Sequence, residues 1–191
     1  HVDKRVGNII QTLKDNGLYE NTIIIFAGDN GLAVGQHGLM GKQNVYEHSV
    51  GAPLMIKAAA QHTGKKTADL CYLIDVFPTL CDMLQLPVPQ SVDGISLLSS
   101  LDGKEPVRDY LYYSYMDNQR GISDGTWKLI EYHVNGKRTT QLFNLKNDPW
   151  ERNDLSGQKK YEKTIQRLRE KMAEEQKRTN DTSVFWNNFS Y

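Results

Sequence analysis

The chain has 191 residues, with 23 Lys and Arg balanced by 23 Asp and Glu and a hydrophobic content of 39%. That length supports a core without staples. The even charge gives no basic excess for a nucleic-acid surface, and no apolar run approaches the ~20 residues a membrane helix needs. Cys71 and Cys81 share one largely apolar segment and lack C-x-x-C spacing, so buried unpaired thiols are expected rather than a zinc site, and a disulfide is the alternative. The first residue is His1, with no charged stretch leading into an apolar one. A processed chain, or one cut from something longer, is expected.

Val2, Val6, Ile9 and Leu13 recur at helical spacing and stop at Asn16-Gly17, which predicts an amphipathic helix closed by a glycine cap. TIIIFA, residues 22–27, is a β-branched run without polar alternation; it suits a strand covered on both faces, as in a parallel sheet flanked by helices. Residues 28–52 form a glycine-rich polar loop with a helical turn predicted around 45–49, and PLMIKA, residues 53–58, is a second strand candidate. A loop of that length inside a compact domain is usually functional. In DLCYLIDVFPTLCDMLQLP the first half is a strand candidate, and Asp75 with Pro78 marks a helix ending near Leu86.

From about Arg108 the character changes. DYLYYSYM, WKLIEYHV and TTQLFNL, separated by turn signals such as Asn135-Gly136, predict a small antiparallel sheet. Its aromatics, Trp127 and Tyr132 among them, are expected in the core rather than on a binding surface. Tyr161, Ile165, Leu168 and Met172 mark one face of a closing helix; residues 157–179 carry eight Lys or Arg against four Glu. A surface helix with a solvated charged face is the simpler reading, and an interaction helix the sharper one. Asn180-Asp-Thr and Asn188-Phe-Ser match N-glycosylation acceptors but are too common by chance to carry weight. The expected fold is α/β: part of a mostly parallel sheet flanked by helices over residues 1–105, then a small C-terminal α+β subdomain over 106–191 with a short antiparallel sheet and a helix.

The chemistry concentrates in GDNGLAVGQHGLMGK, residues 28–42, where five glycines are interleaved with Asp29, Asn30, His37 and Lys42. A phosphate cradle of the Walker type needs four residues between its glycine and the Gly-Lys pair, then Ser or Thr. Here five residues lie between Gly35 and Gly41 and Gln43 follows Lys42, and no G-x-G-x-x-G occurs. Asp29 and Asn30 directly follow a predicted strand, where open α/β sheets bind ligands. Their oxygens are hard donors suited to Ca²⁺ or Mg²⁺, although Asp-Asn-Gly is also simply a good turn. Lys42 can bind an oxyanion and His37 can move a proton, while alone each reads as surface and packing. Together the four point to a metal-assisted site for an anionic ester.

These residues resemble the sulfatases of the alkaline phosphatase superfamily. The likeness runs through IIIFAGDNG, GQHG, GKQNVYEHS and APLMI, continues in IDVFPTLCDMLQLPVP and DGISLLSSLDG, and returns in QLFNLKNDPWERNDLS. The resemblance implies a sulfuric ester hydrolase in which Asp29 and Asn30 bind Ca²⁺ or a similar ion. It implies that Lys42 binds sulfate oxygens, with His37 nearby as a catalytic and substrate-binding residue, and His48 and Gln43 as weaker candidates. Gly51 departs from the Arg found there in many relatives. The Cys-x-Pro-x-Arg or Ser-x-Pro-x-Arg segment that yields the formylglycine nucleophile is absent, so the chain resembles the C-terminal portion of such an enzyme, expected to be inactive alone. Implied partners are the N-terminal half and a sulfated small molecule or glycan, without nucleic acid or membrane span; a periplasmic, lysosomal or secreted location is implied by the resemblance only. A phosphodiesterase or phosphonate hydrolase of the same superfamily, or a non-catalytic carbohydrate-binding module, is the alternative.

Overall fold

The computed structural model describes residues 1–58 and 64–183; Asn188 of the second acceptor pattern lies outside them. Helix α1, Val2–Asp15, stops as its sequence predicts. Gly17 takes φ 67, and the amides of Gly17 and Leu18 donate to the carbonyls of Lys14 (3.0 Å) and Leu13 (2.8 Å). Those two bonds close the last turn through a left-handed residue that only glycine adopts cheaply. None of α1 is buried, and Val2 and Ile9 on its apolar stripe stay 68% and 61% exposed.

Strand β1, Ile24–Ala27, pairs with β4, Leu54–Lys57, in the register Ile24 to Lys57 and Ala27 to Leu54. The pairing is antiparallel, and no strand pairing among the described residues is parallel. The expectation of a parallel sheet is corrected for these strands on a physical ground. The connection, residues 28–53 with the glycine loop and α2 (Glu47–Val50) in it, is long enough for either direction, and a continuous apolar run fits a parallel or an antiparallel neighbour alike. Within the loop, β2 (Ala33–Val34) and β3 (Met40–Gly41) form a small hairpin.

The strand candidate in the first half of DLCYLIDVFPTLCDMLQLP does not form. That stretch is irregular and ends in a 3-10 turn at Leu73–Asp75, ahead of α3, Val76–Met83. Tyr72 meets the sheet through its side chain instead. Its hydroxyl accepts from the Tyr112 amide (2.6 Å) and donates to the Tyr112 carbonyl (3.1 Å), which satisfies an edge strand without adding a new one. Asp75 is not a side-chain cap for α3. It is fully buried, accepts from the amides of Tyr72 and Ile95 (2.8 Å each), and pairs with Arg108. A short helix α4, Leu98–Leu101, follows.

Strands β5 (Leu111–Tyr115), β6 (Gln119–Ser123), β7 (Trp127–Val134) and β8 (Lys137–Asn144) form an antiparallel meander; the antiparallel sheet is as expected, and β6 adds a strand to the three runs named from the sequence. Asn135 and Gly136 turn β7 into β8 with φ 51 and 75, the double positive φ that a two-residue hairpin turn requires. The sheet is covered on both faces. On one, Ile122, Leu129 and Leu142 pack against Ile165, Leu168 and Met172 of α5, Glu162–Arg178. On the other, Ile130 and Phe143 pack against Val45 and Tyr46 from the end of the glycine loop. Trp127 and Tyr132 join these clusters as core aromatics, and Cys71 and Cys81 are free.

Candidate functional site

The site begins where β1 ends. The Gly28 amide donates to the Pro53 carbonyl (3.1 Å), so Asp29 and Asn30 leave the ladder together at its carboxyl end. Asp29 Oδ1 accepts from the Asn30 amide (2.9 Å), and Lys42 Nζ reaches Asp29 Oδ2 at 3.4 Å. Hydrogen bonds from Asn30 and Lys42 hold the Asp29 carboxyl below the usual carboxylate range, so it is anionic and ready to hold a cation.

Two of the loop's glycines have distinct duties. Gly31 presses its backbone onto α2: its amide donates to the Ser49 carbonyl (2.9 Å), and a Cβ there would lie 2.0 Å from the His48 carbonyl oxygen. Gly41 bends the loop at φ 104, just ahead of Lys42. Gln43 Oε1 accepts from the Lys42 amide (3.1 Å), so Gln43 braces the loop.

His37 is placed differently from Asp29 and Lys42. Its backbone is left-handed, φ 53, its ring stacks on Tyr46 at 4.0 Å, and Nε2 lies 3.1 Å from the Trp150 carbonyl oxygen. His48 sits beside it, ring centroids 5.6 Å apart. Burial first, then the charges of His37 and Lys128, lowers its pKa and favours neutral imidazole. Both histidines line a cleft of about 410 Å³ with Trp150 and Arg152. Asp29 and Asn30 line a separate groove of about 1180 Å³ with Glu47, Tyr72 and Arg108. The structure therefore brings Asp29, Asn30 and Lys42 together and gives His37 to the junction with residues 149–152.

Three charged residues at that junction escape sequence reading. Lys128 on β7 is 0% exposed, with Nζ 2.8 Å from Glu47 Oε1 and 3.1 Å from Glu151 Oε1. Glu151 Oε2 accepts from the Glu47 amide (2.6 Å). Burial raises the Glu151 carboxyl and the Lys128 charge opposes that. The available signal was strand alternation, which puts Lys128 on the same face as Ile130 and Tyr132.

Asp29 and Asn30 suit a hard divalent cation: one ionised carboxylate and one amide oxygen on adjacent residues. They supply only two such donors, and no group of three or more His, Cys, Asp or Glu among the described residues could hold a metal.

Comparison with known proteins narrows the reading. Residues 35–178 match the family described as N-sulphoglucosamine sulphohydrolase, C-terminal. An N-acetylglucosamine-6-O-sulfatase of Bacteroides thetaiotaomicron is 30% identical over 94% of this chain and 34% of its own length. A choline-sulfatase of Rhizobium meliloti is 31% identical over 82% of the chain and 31% of its own. The chain thus spans about a third of the curated relatives it matches. Among solved structures, one in complex with its substrate D-glucosamine-2-N,6-O-disulfate superposes with TM-score 0.84 at 29% identity, covering 95% of this chain and 39% of that one. The phosphonate monoester hydrolase of Agrobacterium radiobacter superposes with TM-score 0.77 at 26% identity, covering 91% and 38%.

Proposed function

Since the chain belongs to the N-sulphoglucosamine sulphohydrolase C-terminal family, we propose that it is one wall of the active site of an enzyme that hydrolyses sulfate esters of a glycan. The observation that carries this is the placement of Asp29 and Asn30 at the end of β1 with Lys42 folded back to 3.4 Å. In this reading Asp29 and Asn30 hold Ca²⁺ or Mg²⁺ through their side-chain oxygens. When bound, such an ion supplies positive charge to the sulfuryl oxygens.

Lys42 donates to a sulfate oxygen and stabilises the charge that grows there as the ester bond breaks. Its backbone is held by the turn at Gly41 and by the bond from its amide to Gln43, which fixes where the side chain leaves the loop. His37, stacked on Tyr46, acts by holding the loop closed rather than by touching the ester. The nucleophile, a formylglycine, belongs to the N-terminal half. We further propose that β1 and β4 join a larger, mostly parallel sheet with that half, and that residues 1–105 and 106–191 are the core and subdomain portions of one catalytic unit. A sulfated glucosamine is the favoured substrate class because the structural neighbour with TM-score 0.84 was solved with one.

A second reading, phosphonate or phosphodiester hydrolysis, is favoured by the superposition on phosphonate monoester hydrolase. The two separate in the full-length enzyme. Turnover of an aryl sulfate, with a Cys-x-Pro-x-Arg or Ser-x-Pro-x-Arg segment ahead of this chain, is expected. Faster turnover of a phenyl phosphonate, or a lone Thr or Ser nucleophile without that segment, would replace the first reading with the second.

A further inference from the structure

The C-terminal sheet meets the glycine loop through Lys128, Glu151 and Glu47. Glu47 is tied twice, through its side chain to Lys128 (2.8 Å) and through its amide to Glu151 (2.6 Å). The Lys128 ammonium also lies 5.0 Å from the centre of the Tyr113 ring. Two carboxylates share one ammonium in a place where Lys128 and Glu151 side chains are 0% and 1% exposed. Glu151 moreover holds a left-handed backbone, φ 54.

That arrangement is expensive. Buried ion pairs can often be replaced by apolar side chains of like volume without loss of stability, and a left-handed non-glycine residue adds strain. Adhesion between loop and sheet is already supplied by Val45, Tyr46, Ile130 and Phe143. What charged groups add over apolar ones is direction: the bonds fix the orientation of Glu47, and Glu47 opens α2.

The direction is then passed on. Helix α2 presses against Gly31, whose amide donates to Ser49 (2.9 Å) and whose missing Cβ leaves room for the His48 carbonyl. Gly31 directly follows Asn30, and Glu47 lines the same groove as Asp29 and Asn30. We propose that Lys128 and Glu151 are positioning residues: through Glu47 and α2 they set the angle at which Asp29 and Asn30 present their oxygens to a divalent cation. This rests on the metal-dependent sulfatase reading above. It gives the C-terminal sheet a part in the chemistry that no residue of the sheet performs by contact.

The test compares Glu151→Gln with the wild-type full-length enzyme. Ca²⁺ affinity is measured by calorimetry on metal-stripped protein, with kcat and KM for an aryl sulfate at limiting and saturating Ca²⁺. Glu131→Gln is the control: a buried carboxylate on the opposite face of β7, paired with Arg169 at 2.7 Å and remote from the loop. Glu151→Gln is expected to weaken Ca²⁺ binding at least tenfold and to recover kcat at saturating Ca²⁺, while Glu131→Gln stays within twofold of wild type. Unchanged affinity in Glu151→Gln overturns the inference, and so does an equal loss in the control. Should Glu151→Gln fail to fold, Glu47→Gln keeps the amide bond to Glu151 and loses only the pair with Lys128. At least a threefold loss of affinity is expected there, and none would overturn the inference. A wild-type enzyme that binds neither Ca²⁺ nor Mg²⁺ sinks the metal-dependent sulfatase reading and this inference with it; normal wild-type binding with unaltered variants sinks the inference alone.

Discussion

Lys42 Nζ lies 3.4 Å from Asp29 Oδ2, and both side chains are largely exposed, 49% and 83%. Two groups proposed to hold different things, an anion and a cation, thus hold each other. A pair so open to water contributes little to stability, so each member is free to take its own ligand. Lys42→Ala in the full-length enzyme is expected to leave the melting temperature unchanged and to cut kcat/KM for an aryl sulfate about a hundredfold or more, the usual loss when a charge-stabilising donor is removed. Activity within a few fold of wild type would remove Lys42 from the site.

The 191-residue chain, titrated alone with Ca²⁺ in a calorimeter, is expected to show no micromolar affinity. Asp29 and Asn30 offer two donors, and Ca²⁺ takes six to eight oxygens. Tight binding would mean that the described residues hold a fuller site than Asp29 and Asn30.

Gly31→Ala and Gly7→Ala form an informative pair. A Cβ at Gly31 would meet the His48 carbonyl oxygen at 2.0 Å, whereas one at Gly7 meets nothing within 4 Å. The first is backbone and cannot swing away, so a loss of about 1–3 kcal/mol is expected from overpacking. The second sits mid-helix in α1 and is expected to gain about 0.5–1 kcal/mol. Urea unfolding of both variants checks the signs, and equal effects would discredit the close approach of Gly31 to α2.

Asp75→Ala removes the partner of a buried guanidinium. Arg108 is 7% exposed and Asp75 0%, and two backbone amides lose their acceptor as well. Breaking one side of such a pair costs about 3–5 kcal/mol. A urea midpoint close to wild type would show that Arg108 finds another anion.

Asp181 predicts a pH dependence. Burial acts to raise its carboxyl, but hydrogen bonds from Arg120, Tyr112 and the Ser183 amide outweigh that and hold it below the usual range. A depressed folded pKa contributes stability that is complete above the unfolded value, about 3.9, and is lost as pH falls through the folded value. Unfolding midpoints are expected to drop below about pH 4, and less steeply in Asp181→Asn. Parallel acid profiles for the two proteins would count against the Arg120 pairing.

Much of the secondary structure was legible because its signals are local. The cap at Gly17, the Asn135-Gly136 hairpin and the apolar stripe of Ile165, Leu168 and Met172 each declare themselves within a few residues. The pairing of β1 with β4 did not, because a continuous apolar run fits a parallel or an antiparallel neighbour equally well. The start of α3 was near Asp75 as expected, but the carboxylate was spent on Arg108 and distant amides that no local pattern names. In the site, Asp29, Asn30 and Lys42 could be read from residue type and from their place after a strand. Lys128 was harder: alternation puts it on the face of Ile130 and Tyr132, but the carboxylates that let a charge be buried there, Glu47 and Glu151, lie 81 and 23 residues away along the chain.

The β1–β4 ladder carries a further consequence for anyone who produces the chain by itself. Among the described residues it has two strands and so two unpaired edges, with Phe26 36% and Met55 59% exposed on it. Open edges bearing apolar side chains are templates for strand addition by another copy, and a two-stranded ladder has little stability of its own to resist opening. Turbidity that rises with concentration, and falls when Phe26 or Met55 is replaced by Lys, would be the outward sign. On that outcome, the strands that place Asp29 at the end of the ladder also set how concentrated a solution of the isolated chain can be.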